Sequence, residues 1–272
     1  MTLSAPSTAS TFPRLRVRPS RRFLLGAASV SVLVAAWVLL TMVTGTLSTN
    51  RFPSPPQFWQ SARQIMTVGY ADATLLGHAV HSTRLVVMGF AVAIAIGVPL
   101  GLLMGWSRRA EALINPAFLV IRPIPPLAWI PLAILWLGLG DAAKVMVIFF
   151  AAFVPAVINT FAGVRGIEPH VVEAARMLGT GRWRLLTEVL VPAAAPMIFT
   201  GLRLSLQASW TTLVAAELVG ALAGLGRVLN MAQQDIYPAM VMVGMAAVGV
   251  LGWATTRLLA EVERRVMPWL AG

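Results

Sequence analysis

The sequence has no cysteine and, among its 272 residues, only three histidines and ten acidic residues. Without thiols there is no disulfide, no iron–sulfur cluster, no cysteine nucleophile and no Cys-containing zinc site. Charge is scarce as well. Asp, Glu, Lys and Arg make up 11% of the chain, against about 25% in soluble domains. In their place, 58% of the residues are hydrophobic and the mean hydropathy is +0.79, which is the composition of a chain embedded in a bilayer, with no polar stretch long enough for a second domain. The one lysine, Lys144, follows Asp141-Ala142-Ala143, so a G-x-x-x-x-G-K-[ST] phosphate loop is excluded. H-E-x-x-H and G-x-S-x-G are absent too, and no catalytic residues are assigned. His78 and His81 share a helix face, but two ligands make a poor metal site, so no metal is expected.

The apolar residues are gathered into runs. Phe23 to Val43 carries no charge and is long enough for a hydrocarbon core that needs about 20 helical residues. A cleaved secretory signal is the competing reading, but its apolar region is about 7–15 residues and ends at a small-residue site. Five further runs extend from Leu85 to Trp106, Leu113 to Leu137, Lys144 to Phe161, Pro192 to Ala216 and Pro238 to Leu258. The expectation is an all-α polytopic membrane protein with six transmembrane helices. It comprises a basic tail over 1–22, a membrane domain over 23–258 with a cytoplasmic loop at 162–191, and a tail over 259–272.

Six spans put both termini on one side, and the distribution of basic residues says which. Fourteen lie in the N-terminal tail, at Arg108 and Arg109, in the 162–191 loop and near the C-terminus, whereas Arg51, Arg63, Lys144 and Arg227 mark the other face. By the positive-inside rule both termini are expected in the cytoplasm. The formal net charge of +11 is then topological. No basic stripe alternates with aromatics outside the spans, so no nucleic-acid partner is expected. The outer face carries one substantial loop, Thr44 to Ala73, whose Arg-Phe-Pro-Ser-Pro-Pro run reads as extended. Leu75 to Arg84 is expected to begin the second helix outside the core.

The loop between the fourth and fifth spans is the most informative segment. A helix is expected over Pro169 to Leu178, with Glu168 in the N-cap region and proline in the first turn, and Gly179 ends it. A second helix is expected from Arg182 to Val191, reaching the membrane at Pro192. The two form a protruding knuckle with small residues Ala174 and Ala175 and basic residues Arg176, Arg182 and Arg184. The alternative is an ordinary helical hairpin between spans.

Within this loop Glu173-Ala174-Ala175, three residues, Gly179, nine residues, Val189, one residue, Val191 and Pro192 resemble the EAA loop of permease subunits in bacterial ATP-binding cassette importers. Valines stand where isoleucine and leucine are usual. The resemblance runs from about Ala79 to the C-terminus. Ser82 to Phe90, Gly97 to Gly101, Arg122 to Leu132, Gly201-Leu202-Arg203 and Ala215 to Gly226 are similar to the nitrate, sulfonate, taurine and bicarbonate branch. The resemblance implies a type I importer permease fold and a pore subunit that is not itself an enzyme. It also implies coupling to ATPase subunits through Glu173, Ala174, Ala175, Arg176, Gly179 and Pro192. ATP and Mg are then bound by the partner ATPase and no cofactor by this chain. Further partners implied are an external solute-binding protein, a second permease copy as a homodimer, and membrane lipid. The solute is expected to be small and anionic.

Inside the membrane, Pro116, Pro123, Pro125, Pro126 and Pro131 interrupt the third expected span, and broken backbone at that depth is tolerated where protein covers it or a wet cavity lies beside it. It is either a pathway element or a kinked scaffold helix. Arg122 falls near mid-depth in that span and needs a partner, either a passing anion, Glu217, or carbonyls freed by the prolines. Arg203 is expected to snorkel. Glu217 precedes a glycine-rich stretch with Gly220, Gly224 and Gly226, and reads either as a gating or subunit-contact residue or as an interfacial carboxylate. The candidate translocation path is therefore Arg122, Pro123, Pro125, Pro126 and Glu217. Gly97, Gly101 and Gly105 form a small-residue ridge suited to helix packing. The alternative function, a self-sufficient secondary transporter or channel, needs coupling groups in the membrane or an inverted repeat, and neither is evident in the sequence.

Overall fold

The computed structural model describes residues 21–44 and 52–270; the tail arginines Arg14, Arg16 and Arg18, and Arg51 with the first part of its loop, lie outside them. The described residues are helical, with one isolated bridge between Tyr70 and Ala73. They fall into two units, residues 1–55 and 56–272. In the first, α1 (Arg21–Val38) continues as a π-helical stretch, Leu39–Val43. The Trp37 indole donates to the Pro53 carbonyl at 2.9 Å.

The second unit begins within α2 (Pro55–Thr67), where the sequence suggested an extended loop. Pro55 and Pro56 occupy the first turn, where the missing amide hydrogens would have had no intrahelical partner, so the prolines start this helix instead of preventing it. Then come α3 (Leu75–Trp106), α4 (Arg108–Ile121), a 3-10 turn at Pro126–Trp129 leading into α5 (Ile130–Leu137), and α6 (Asp141–Arg165). The chain continues through α7 (Pro169–Met177), α8 (Arg182–Arg184), a π stretch at Leu185–Leu190, α9 (Val191–Leu218), α10 (Leu225–Gln234) and α11 (Pro238–Val266).

Among the described residues four helices are long and apolar enough to cross a membrane, Leu75–Trp106, Asp141–Arg165, Arg182–Leu218 and Pro238–Val266. The third expected span is not one helix but two, Arg108–Ile121 and Pro126–Leu137, bent by 82°. Ala28–Val43, in the first expected span, is a shorter apolar helix. The count is therefore four, or five with the bent pair as one span, plus this shorter helix, where six full spans were expected.

The centre of the second unit is the packing of α6 between α3 and α9. Glycines bring these helices into backbone contact. A Cβ on Gly101 would lie 2.7 Å from Thr160 Cβ and 2.8 Å from the Val157 carbonyl, and one on Gly105 would lie 2.6 Å from Val164 Cβ. The ridge expected from the glycine spacing thus seats α3 on α6, and Gly201 does the same for α9, whose Cβ would lie 2.7 Å from Asn159 Cβ. At such distances dispersion contacts replace a hydrophobic driving force that lipid does not supply. Ser205 adds a buried hydrogen bond across the seam, donating to the Ala152 carbonyl at 2.6 Å.

At the α2 end, α10 and α11 close a small cap over Ile65, Val228, Ala232 and Met240. Its polar bonds are long-range. Ser61 Oγ donates to Tyr237 Oη at 2.8 Å, Tyr237 Oη donates to Gln64 Oε1 at 3.1 Å, and Tyr70 Oη donates to Asp235 Oδ2 at 2.5 Å. Burial, and then the Asp235 carboxylate, push the Tyr70 phenol above its ordinary range, so it stays a neutral donor. Arg203 meets Glu263 of α11 in an ion pair, an anchor more specific than the snorkelling expected of it.

Candidate functional site

The 162–191 loop forms the expected knuckle. Glu168 takes the N-cap position of α7 with extended backbone (φ −62°, ψ 134°) and Pro169 follows it in the first turn. The helix ends in a Schellman motif: the Thr180 amide donates to the Ala175 carbonyl at 3.1 Å and the Gly179 amide to the Arg176 carbonyl at 2.9 Å. Gly179 sits at φ +80° with open space where a Cβ would stand, so glycine is favoured there by backbone conformation and not by crowding. Glu173, Ala174 and Arg176 are exposed, whereas Ala175 is half-buried against the cluster of Val164, Leu185 and Leu190. One alanine of the pair therefore faces out and the other seats the knuckle. The corner also presents three large apolar side chains that the motif did not single out, Met177 (89% exposed), Leu178 (86%) and Trp183 (69%).

Past the corner, the helix that was expected to stop at the membrane instead runs unbroken from Arg182 to Leu218. Pro192 is the local disturbance. It lacks an amide hydrogen and its ring crowds the carbonyl four residues back, and the widened π stretch at Leu185–Leu190 immediately before it absorbs that conflict. Arg182 lies 5.9 Å over the Trp106 ring at the end of α3, and Arg165 pairs with Glu111 of α4. The knuckle is thus tied to α3 and α4.

At the bend between α4 and α5, Arg122 caps α4, its amide donating to the Phe118 carbonyl at 2.9 Å. Pro123 and Pro125 supply no donors, and Pro126 opens the 3-10 turn, whose Trp129 stacks on Phe150 of α6 at 4.1 Å and 8°. Arg122, Pro123 and Pro125 are exposed and Pro126 is half-buried. The Arg122 guanidinium has no ion pair or hydrogen bond among the described residues. The structure does not bring it to Glu217 or to carbonyls freed by the prolines.

Glu217 is engaged elsewhere. Near the end of α9 it is 1% exposed, and its carboxylate accepts from Ser82 Oγ at 2.8 and 3.1 Å and from the Gly226 amide at 2.7 Å. Ser82 Oγ also accepts from the Leu225 amide at 2.9 Å. One turn earlier on α3, His78 Nδ1 accepts from the Gly224 amide at 3.1 Å, which makes Nε2 the protonated nitrogen, donating to the Tyr70 carbonyl at 2.9 Å. A Cβ on Gly224 would lie 2.0 Å from Glu217 Oε1, and one on Gly226 2.4 Å from Glu217 Cβ. This knot joins α3, α9 and the start of α10, and it uses His78 as a structural acceptor. His81 Nε2 instead lies 3.2 Å from Asp141 Oδ1. Among the described residues no group of three or more His, Cys, Asp or Glu could hold a metal ion. Reasoning from sequence missed the roles of Ser82 and His78; the one signal for them was the pair of glycines that Glu217 requires.

The sequence profile of the family described as "Binding-protein-dependent transport system inner membrane component" matches residues 97–267. The chain belongs to this family. Members are pore subunits of importers and not enzymes themselves. The permease is 34% identical over 254 residues to the taurine transport system permease protein TauC of Escherichia coli, covering 92% of this chain and 91% of that one. It is 31% identical to the nitrate import permease protein NrtB of Synechocystis, covering 97% of this chain and 98% of that one. Its fold is shared with a chain of the MetNI methionine ABC transporter in an inward facing conformation, with TM-score 0.57 and 18% identity, over 77% of the permease and 99% of that chain. The resemblance seen in the EAA loop and the α-helical membrane class expected from composition both hold.

Proposed function

We propose that the permease forms one half of the pore of an ATP-driven importer for a small oxoanion of the sulfonate, taurine, nitrate or bicarbonate class. An external binding protein delivers the solute, separate ATPase subunits bind ATP and Mg, and a second copy of the chain completes the pore. Both termini and the 162–191 loop face the cytoplasm, in accord with the asymmetry of basic residues. The observation that carries the reading is the knuckle: a Schellman-capped corner with Glu173, Ala174, Arg176 and Gly179 exposed beside bare Met177 and Leu178, on a chain whose relatives are permeases named for taurine and nitrate. An apolar corner held out in water has no stabilising role in a lone chain and suits a partner cleft.

The test is hydrolysis by the permease reconstituted with its ATPase and binding protein. Loading the binding protein with the correct oxoanion is expected to raise ATP hydrolysis several-fold and to drive uptake. Uptake without the ATPase, driven by an ion gradient, would support the secondary transporter instead. Arg122 belongs to the same reading. Exposed and unpaired at the 82° bend, it is offered to the passing anion, so Arg122→Gln is expected to lower uptake roughly tenfold, about 1.4 kcal/mol, while assembly and stimulated hydrolysis stay near normal. Loss of folded permease in that variant would give Arg122 a structural role.

A further inference from the structure

Along α3, Arg84, Met88, Val92 and Ile96 recur every four residues and share one face of the helix. Met146 and Phe149 of α6 stand opposite, and together these side chains line an open groove of about 560 Å³. That volume is within the roughly 300–1,000 Å³ of small-molecule sites. The groove is almost wholly apolar apart from two ionic residues, Arg84 and Asp141. Asp141 is already engaged, with Oδ1 3.3 Å from Lys144 Nζ and 3.2 Å from His81 Nε2. Arg84 is exposed and makes no ion pair or side-chain hydrogen bond among the described residues. Its charge is the uncompensated one in the groove.

Depth gives that charge a direction. Arg84 precedes Trp106, the last residue of α3, by about 33 Å of helix at 1.5 Å per residue, a little more than the thickness of a hydrocarbon core of about 30 Å. With the knuckle end of α3 in the cytoplasm, the guanidinium stands at the outer boundary and the groove runs inward from it. A guanidinium presents paired donors that match two oxygens of a planar or tetrahedral oxoanion. A single cation above an apolar floor attracts such an ion without holding it, as conduction requires.

We propose that the groove between α3 and α6 is the outer vestibule of the pore and that Arg84 is its anion-recognition residue. The proposal rests on the oxoanion importer reading above. The lack of cysteine makes the test direct. Met88→Cys and Val92→Cys are introduced singly, the transporter is assembled with its ATPase subunits in proteoliposomes, and an anionic or a cationic methanethiosulfonate is added from outside. Both reagents are expected to modify both variants. Adding Arg84→Gln is expected to slow the anionic reagent about tenfold without slowing the cationic one, which also reports that the groove is still folded, and Arg84→Lys should restore most of the rate.

No modification by either reagent would overturn the proposal, because the groove would then face lipid or lie under a second copy or another helix. Equal anionic rates with and without Arg84 would overturn it as well, leaving Arg84 as a contact for lipid phosphate. Labelling does not depend on hydrolysis. A transporter that labels as expected yet is stimulated by none of the oxoanions would sink the solute assignment and leave the vestibule standing.

Discussion

Gly224→Ala is expected to lower the thermal midpoint of the detergent-purified permease by about 10 °C and to cut its folded yield severely. Three effects add. The added Cβ would stand 2.0 Å from Glu217 Oε1 and 2.5 Å from the carboxyl carbon, at a residue whose φ is +118°. The backbone strain alone costs about 1 kcal/mol. The carboxylate must also move, and it is the acceptor for the Ser82 hydroxyl and the Gly226 amide, both enclosed in the knot. Each buried donor left unsatisfied costs about 1–3 kcal/mol. The total, roughly 3–7 kcal/mol, is a large share of a typical stability of about 5–15 kcal/mol, and at about 2–4 °C per kcal/mol it corresponds to the stated shift.

Gly249→Ala is the control, because nothing lies within 4 Å of its Cβ position and its backbone is ordinary helix; it should be neutral or slightly stabilising. Glu217→Ala should be destabilising by itself and less than additive with Gly224→Ala, since both break one set of bonds. A Gly224→Ala permease as stable as the parent would mean that the 219–224 loop relaxes away from Glu217 and that the knot does not hold α9 to α3.

What the sequence disclosed and what it hid divide along a physical line. The limits of α7, its Pro169 start and its Gly179 end are local matters of capping and backbone conformation, and they read correctly because the residues responsible lie within one turn of the boundary. That Gly97, Gly101 and Gly105 form a packing ridge was also legible from their four-residue spacing, but that α6 is the helix seated on it was not. The helix at Pro55–Thr67 was not, because proline both breaks helices and begins them, and only the position of the first turn separates the two cases. The partners of Glu217 were beyond reach for a different reason. Ser82 is 135 residues away, and neither composition nor period links a hydroxyl on α3 to a carboxylate at the end of α9. The same distance in sequence left Arg122 with hypothetical partners that the structure assigns elsewhere or not at all. Bends are an intermediate case: the prolines announced that the third span breaks, but not the 82° angle or the tertiary stacking of Trp129 on Phe150 beside it.

In Gly179→Asp, stimulation of ATP hydrolysis by the loaded binding protein is expected to fall at least tenfold while the permease inserts and folds as before. The fold has reason to tolerate the change. Nothing lies within 4 Å of the Cβ position, the residue is exposed, and aspartate is among the side chains that accept positive φ most readily, at a cost of about 1 kcal/mol or less. The extra anion at the C-terminal end of α7 adds a few tenths of a kcal/mol through the helix dipole. These are small against the stability of the whole. Docking is another matter, because Gly179 lies next to Leu178, which is 86% exposed, and beside Met177. A partner cleft that receives this corner would have to bury an added carboxylate, and such burial costs several kcal/mol when no counter-charge is supplied. Glu173→Ala, which removes an exposed charge nearly two turns back, should give a milder form of the same defect. The decisive measurement is co-purification of the ATPase with the Gly179→Asp permease, alongside hydrolysis with and without loaded binding protein. Retention of the ATPase together with normal stimulation would take the knuckle out of the coupling path and place that contact on another cytoplasmic segment.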